Sequence, residues 1–442
     1  MERYNSYKDS GISWIGDIPS HWETSIFKRL IKYRKTGSWG SEPNTSEIDC
    51  VCLRIADFDY EKFRFQRKAD NTIRSYKFKE LEERILKEGD ILIEKSGGGE
   101  KTPVGRAILY DLNITNAMYA NFMEKIAPQD NLVSKFLVYI LSLMYSKRAI
   151  WTYVKFTTGI QNLNLSSLLS NERIPLPPLA EQEKIVSYLE DKTSKIDAYV
   201  ADKEKEIELL QELKQKAIAD AVTKGLNPDA KMKDSGISWI GEIPEHWEVR
   251  HLSQVSYEHY ISNKEVHHQN LLSLSYGRII RKDINTTEGL LPASFDTYQI
   301  VEEGNIVMRL TDLQNDHKSL RVGLVKEEGI VTSAYVCLGV YDSIFPSYLY
   351  NVLHSYDIKK LFYSMGGGLR QNLNWQGLKK LDIPLPPKDE QQSIVAYIEK
   401  KCEKIDKLAS ELQSEIDYLK EYKQRLIADC VTGQVNVQNE MI

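Results

Sequence analysis

The sequence predicts an α+β protein in which one unit is used twice. Two mixed α/β domains are joined by two long helices packed as an antiparallel coiled coil, with a pseudo-twofold internal repeat. Three observations predict this. Asp9–Glu23, DSGISWIGDIPSHWE, returns at Asp234–Glu248 as DSGISWIGEIPEHWE, with thirteen of fifteen positions identical at an offset of 225. Ile174–Tyr188, IPLPPLAEQEKIVSY, returns at Ile383–Tyr397 as IPLPPKDEQQSIVAY, with ten of fifteen identical at an offset of 209. After each second block comes a charged stretch, 181–222 and 390–431, with no Gly or Pro to interrupt a helix.

In chain order, residues 1–180 form the first domain and 181–222 the first spacer helix. Residues 223–389 are a linker and the second domain, 390–431 the second spacer helix, and 432–442 a tail. The 442 residues exceed one ordinary domain, as this division requires. Between the repeated blocks lie two variable segments, about 24–173 and 249–382, which share only echoes such as Gly89-Asp90-Ile91-Leu92 and Gly304-Asn305-Ile306-Val307. The fall in offset makes the first segment 16 residues longer than the second. A constant frame around different inserts suggests modular recognition rather than one composite active site.

Each helix has its own punctuation. Pro177-Pro178 and Pro386-Pro387 stand just before the helices, and Gly225 and Gly433 just past them. Asp389 with Gln392 reads as a capping box. In the second helix Ile398, Ile405, Leu412, Leu419 and Leu426 repeat every seven residues, with Cys402, Ala409, Ile416, Lys423 and Cys430 as the companion row. These are coiled-coil d and a positions. The first helix carries the same rows less cleanly, and Lys214 stands where the second has Lys423. A polar a residue costs stability and helps fix register; the alternative is that both lysines snorkel at a frayed seam. Forty-two residues give each helix a length of about 63 Å.

Composition excludes several classes. The N-terminus lacks the apolar core of a secretion signal. The longest apolar stretch, Phe136–Tyr145, is about half of the roughly 20 residues that span a bilayer. The five cysteines are scattered without zinc-site spacing, so a reducing cytoplasmic location with no structural metal is expected. The net charge of −5 hides an asymmetry. Thr24–Leu165 holds 23 basic and 17 acidic residues, Val249–Asn372 holds 12 and 13, and the two helices are acidic. A basic first segment suits nucleic acid.

No catalytic motif accompanies this. The stretch Glu94–Thr102, EKSGGGEKT, resembles a phosphate loop, but Glu100 stands where a glycine is needed and its charge opposes a triphosphate. Gly97–Gly99 and Gly366–Gly368 are read as flexible turns instead. No methyltransferase motif, dinucleotide fingerprint or nuclease carboxylate cluster is found, and no catalytic or metal-binding residue is expected.

Paired variable domains, each preceded by SGISWIG(D/E)IPxHW and followed by IPLPP, Glu-Gln and a long helix, resemble the specificity subunit of type I restriction–modification enzymes. The resemblance covers nearly the whole chain. It implies two target recognition domains, each reading half of a bipartite, asymmetric site on double-stranded DNA. It implies that the helices set the gap and dock two modification subunits, which methylate adenine with S-adenosylmethionine. Restriction subunits then join, using ATP and magnesium; those cofactors belong to the partners and none to this chain. Trp14, Trp22, Trp239 and Trp247 are read as packing residues, with seating of a modification subunit as the alternative.

Base readout calls for polar side chains near turns, Arg or Lys for guanine and Asn or Gln for adenine. The candidates in the first domain are Lys95, Ser96, Lys101, Thr102, Arg106, Gln161, Asn162 and Asn164. In the second they are Arg309, Thr311, Gln314, Lys318, Arg321, Arg370, Gln371, Asn372 and Asn374. The Asn-Leu-Asn shared by both domains suits structure or phosphate positioning as well as readout. Two other classes stay open: a coiled-coil scaffold for proteins only, and a self-sufficient methyltransferase or nuclease with degenerate motifs.

Overall fold

Two helices without internal Gly or Pro organise the chain: Leu179–Lys224 and Lys388–Val431. The structure, a computed structural model, describes residues 2–43, 47–66, 70–99, 102–112, 114–157, 159–264, 268–284, 294–316, 319–365 and 372–439. The chain divides into two compact units, Met1–Asp202 with Glu415–Ile442, and Lys203–Ser414, and both helices pass from one into the other. Each helix starts two residues earlier than the sequence reading. Asp389 therefore sits inside the first turn, where its charge favours the helix N-terminus, rather than at a cap. Gly225 and Gly433 end the helices with φ of +71° and +72°. At Gly433 a Cβ would meet Pro19 Cδ at 2.3 Å, so close packing also demands glycine.

In the first unit a six-stranded sheet runs in the order Phe58–Asp59, Arg64–Phe65, Ala107–Leu109, Ile91–Glu94, Met123–Pro128, Ile31–Thr36. The apolar helix Ser134–Ser146 belongs to its core with Ile91, Ile93 and Ile126. A second sheet, Met118–Tyr119, Ile48–Leu53 and Ile73–Tyr76, has its own core around Cys52, Tyr76 and Tyr119. The second unit is built likewise. Ser256–Glu258, Val336–Val340, Ile306–Met308 and Val322–Leu324 form one sheet, and the helix Pro346–Ile358 shares its core. Ile261–Ser262, Gln299–Val301 and Gly329–Val331 form another. Among the described residues no helix is long and apolar enough to cross a membrane.

The heptad rows form the predicted seam. Ile398, Ile405, Leu412, Ile416 and Leu426 are buried, as are Leu189, Val200 and Ala221. The two seam lysines are paired across it. In the first unit Lys423 Nζ lies 2.6 Å from Asp197 and also donates to the Glu61 carbonyl. In the second, Lys214 Nζ lies 2.7 Å from both oxygens of Asp406. Asp197 and Asp406 are themselves 209 apart, as are the lysines, so one ion pair occurs twice. With Tyr199 bonded to Glu415 while Asp197 meets Lys423, numbers rise on one helix as they fall on the other, and the pair is antiparallel.

The two repeated motifs of each unit meet in space. The strand Glu23–Ile26, just after His21-Trp22, pairs with Arg173–Leu176 of the IPLPP block, and Glu248–His251 pairs with Asp382–Leu385 in the same way. Glu181 accepts from the buried Trp22 indole at 2.9 Å, contacts His21 and accepts from Tyr4; Glu390 contacts His246 at 2.8 Å. The neighbouring glutamine is fully buried in both units. Gln182 accepts from Val133 N and donates to the Asn131 and Pro177 carbonyls. Gln391 accepts from Phe345 N and donates to the Ser343 and Pro386 carbonyls.

An amide is the side chain that suits this place, because the site needs an acceptor and a donor together. Gln391→Glu would set a carboxylate against two carbonyls, and Gln391→Ala would leave three backbone groups unpaired. Each is expected to destabilise the second unit by about 2–3 kcal/mol. Chemical denaturation followed by circular dichroism checks this; an unchanged midpoint would contradict it.

Candidate nucleic-acid interface

The first unit gathers its candidates on a small sheet. Ser96–Gly97 pairs with Ile160–Leu163, which forms a hairpin with Val154–Thr157. Gly97 and Gly98 take φ of +111° and +69°, so the glycines are needed for the turn. The turn is braced rather than loose. Gln161, nearly buried, donates to the Gly99 carbonyl and accepts from Val104 N, which commits both ends of its amide.

Arg106 is also held inward. Its guanidinium makes two bonds to the buried Glu94 at 2.8 and 3.0 Å and stacks 3.7 Å from the Tyr60 ring. Burial together with Glu94 pushes the Tyr60 phenol far above its ordinary range, so it stays a donor to Glu94. Lys95 donates to Thr36 Oγ1 at 2.9 Å and lies 3.3 Å from Glu124. Ser96 and Asn162 bond each other at 2.6 Å, and Thr102 and Asn162 are exposed.

The second unit treats its candidates similarly. Arg321 is fully buried. Its guanidinium donates to the Tyr363 hydroxyl and to the carbonyls of Arg309, Thr311, Asp312 and Asp316. It is the internal post of the 309–316 loop, with its donors spent inside the protein. Arg309 is partly exposed with Asp316 at 3.9 Å, and Gln314 is exposed. Lys101, Lys318, Arg370 and Gln371 lie outside the described residues.

The shared Asn-Leu-Asn makes internal hydrogen bonds in both units. Asn164 caps the helix Leu165–Asn171 by accepting from Ser167 N, and Asn374 caps Trp375–Leu378 by accepting from Gly377 N. The leucine between them is buried, and its N–H donates to the carbonyl of Lys95 in one unit and of Leu310 in the other. Asn372 accepts from Asp312 N at 2.9 Å, in the place where Asn162 meets Ser96.

The structure adds residues that the sequence reading missed. Arg34 donates to Ser166 beside the Asn164 cap. Lys155 and Phe156 are exposed on the hairpin, Phe156 at 66%. In the second unit a cleft of about 430 Å³ collects Glu258, Tyr260, Gln299, Thr311, Asn372 and Asn374. Tyr260 stands 60% exposed. Burial and internal hydrogen bonding together decide which polar residues stay available, and a linear sequence gives neither for isolated loop positions. Among the described residues no group of three or more His, Cys, Asp or Glu is placed to hold a metal ion.

Comparison with known proteins places this arrangement. A family model described as the type I restriction modification DNA specificity domain matches residues 20–209 and 321–418. The chain is 24% identical over 435 residues to a putative type I restriction enzyme MjaX specificity subunit of Methanocaldococcus jannaschii, covering 96% of each chain. It is 26% identical over 372 residues to the MjaVIII specificity subunit of the same organism, covering 80% of this chain and 81% of that one. A chain from a structural study of complex assembly and conformational transition of the type I R-M system shares the fold, with a TM-score of 0.68 at 14% identity. That match covers 95% of this chain and 99% of the other. The crystal structure of the HsdS subunit from Thermoanaerobacter tengcongensis matches with a TM-score of 0.50 at 14% identity, covering 95% of this chain and 98% of that one.

Proposed function

Because the chain belongs to the type I restriction–modification DNA specificity family, we propose that its two units each read one half of a bipartite, asymmetric DNA site. The paired helices set the unspecified gap and dock two modification subunits. The chain is the DNA-recognition component of a type I complex and not an enzyme; S-adenosylmethionine, ATP and magnesium act on its partners.

One observation carries the half-site reading. Gln182 and Gln391 make the same three backbone bonds, and Asn164 and Asn374 the same cap, while the residues displayed around them differ in kind and charge. A frame that repeats this closely and presents different surfaces fits two readers of different sequences.

Duplex binding tests the reading. The chain is expected to bind duplex DNA with an affinity that falls steeply as salt rises, since Lys and Arg contacts to phosphate release counterions. With labelled S-adenosylmethionine it is expected to transfer no methyl group until modification subunit is added. Absence of salt-dependent binding would favour a protein-only scaffold, and methylation by the isolated chain would favour an enzyme.

A further inference from the structure

The two units carry opposite charges at one equivalent place. Gly89-Asp90-Ile91 and Gly304-Asn305-Ile306 open corresponding strands: both glycines have positive φ, and Asp90 and Asn305 each accept from the N–H three residues back. From there the ladder register is shared. Ile91 pairs with Ile126, which pairs with Arg34; Ile306 pairs with Leu338, which pairs with Glu258. Arg34 and Glu258 thus occupy the same position of the same strand. Both lie beside the same cap: Arg34 bonds Ser166 next to Asn164, and Glu258 lines the cleft that holds Asn372 and Asn374.

A carboxylate at this place is unusual for a surface proposed to read DNA. Glu258 is exposed, and among the described residues its carboxylate takes no hydrogen bond or ion pair. The described lining of its cleft includes no Lys or Arg. A carboxylate beside a polyanion is repelled unless it accepts from a donor on a base. In the major groove both cytosine N4 and adenine N6 donate, but adenine also presents the N7 acceptor, which repels a carboxylate, so cytosine is the base that suits a Glu.

We infer that Glu258 is a specificity-determining residue of the second unit, accepting a hydrogen bond from the N4 amino group of a cytosine in its half-site. Arg34, at the equivalent place, is held by Ser166 and lies 3.7 Å from the buried Glu124, so the first unit presents no free carboxylate there. The inference rests on the proposed half-site reading. It also gives the near-neutral second unit a way to read bases without a basic surface.

The test compares the wild-type chain with Glu258→Ala, each co-expressed with the modification subunit, by methylome sequencing. The variant is expected to relax one cytosine position in one half-site and to leave the other half-site and the gap intact. Purified complexes are then titrated with the site duplex and with a duplex in which that C·G pair is T·A. The swap is expected to weaken wild type about tenfold and the variant less than twofold. Glu258→Gln, whose amide oxygen still accepts from the cytosine, repeats the titration and is expected to keep part of the penalty, and a melting curve confirms that Glu258→Ala is folded. An unchanged motif in Glu258→Ala, or an equal penalty for the swap in wild type and Glu258→Ala, overturns the assignment. A wild-type complex that binds no duplex instead overturns the functional reading beneath it.

Discussion

Exchanging residues 24–173 for the matching segment of another family member is expected to replace one half of the methylated site and leave the other half and the gap unchanged. The junctions fall where the frame is strongest. Thr24 pairs with Pro175 and Ile26 with Arg173, so both cuts lie in one antiparallel strand pair. Trp22, Glu181 and Gln182 stay on the frame side of those cuts. Gln182 reaches the exchanged segment only through backbone atoms of Asn131 and Val133, which a foreign sequence supplies equally well. The first unit's main core draws on Ile18, Trp22, Ile185, Leu189, Leu426 and Cys430 from outside the exchanged segment, and these remain. Methylome sequencing of cells carrying the hybrid reads the outcome, and alteration of both halves would refute modularity.

Deleting one heptad from each long helix is expected to shorten the gap with both half-sites retained. The place for the deletion is set by the duplicated ion pairs. Seven residues removed between Asp197 and Lys214, and seven between Asp406 and Lys423, leave both Lys–Asp contacts with their partners. A heptad also keeps the apolar rows in phase. Removing about 10 Å of helix corresponds to about two or three base pairs of duplex. Deleting a heptad from one helix alone would offset one Lys–Asp pair from the other and is expected to abolish assembly. A shortened pair of helices that still methylates with the original gap would contradict the spacer role.

These expectations rest on features of unequal legibility. The helices were readable because a seven-residue apolar repeat without Gly or Pro permits little else, and the seam residues Ile398, Ile405 and Leu412 are buried where that repeat puts them. The repeated motifs were readable as a frame, but the role of Gln182 and Gln391 was not. Their bonds join residues about 50 positions apart, and no local pattern encodes that meeting.

The candidate site was the least legible part. Arg321, Arg106 and Gln161 have the side chains expected of base readers, yet their donors are engaged within the protein. Asn164 and Asn374 precede short helices, and an Asn before a helix is a capping signal that the sequence did contain. Glu258 carries no sequence signal for DNA, since a carboxylate is repelled by phosphate. Strand register alone makes it the counterpart of Arg34.

The most direct measurement is methylome sequencing of cells expressing this chain with its modification subunit. The expected result is a single motif of two defined parts that are not copies of one another, separated by an unspecified gap of fixed length. A contiguous or palindromic motif, or adenine methylation that does not depend on this chain, would contradict the account.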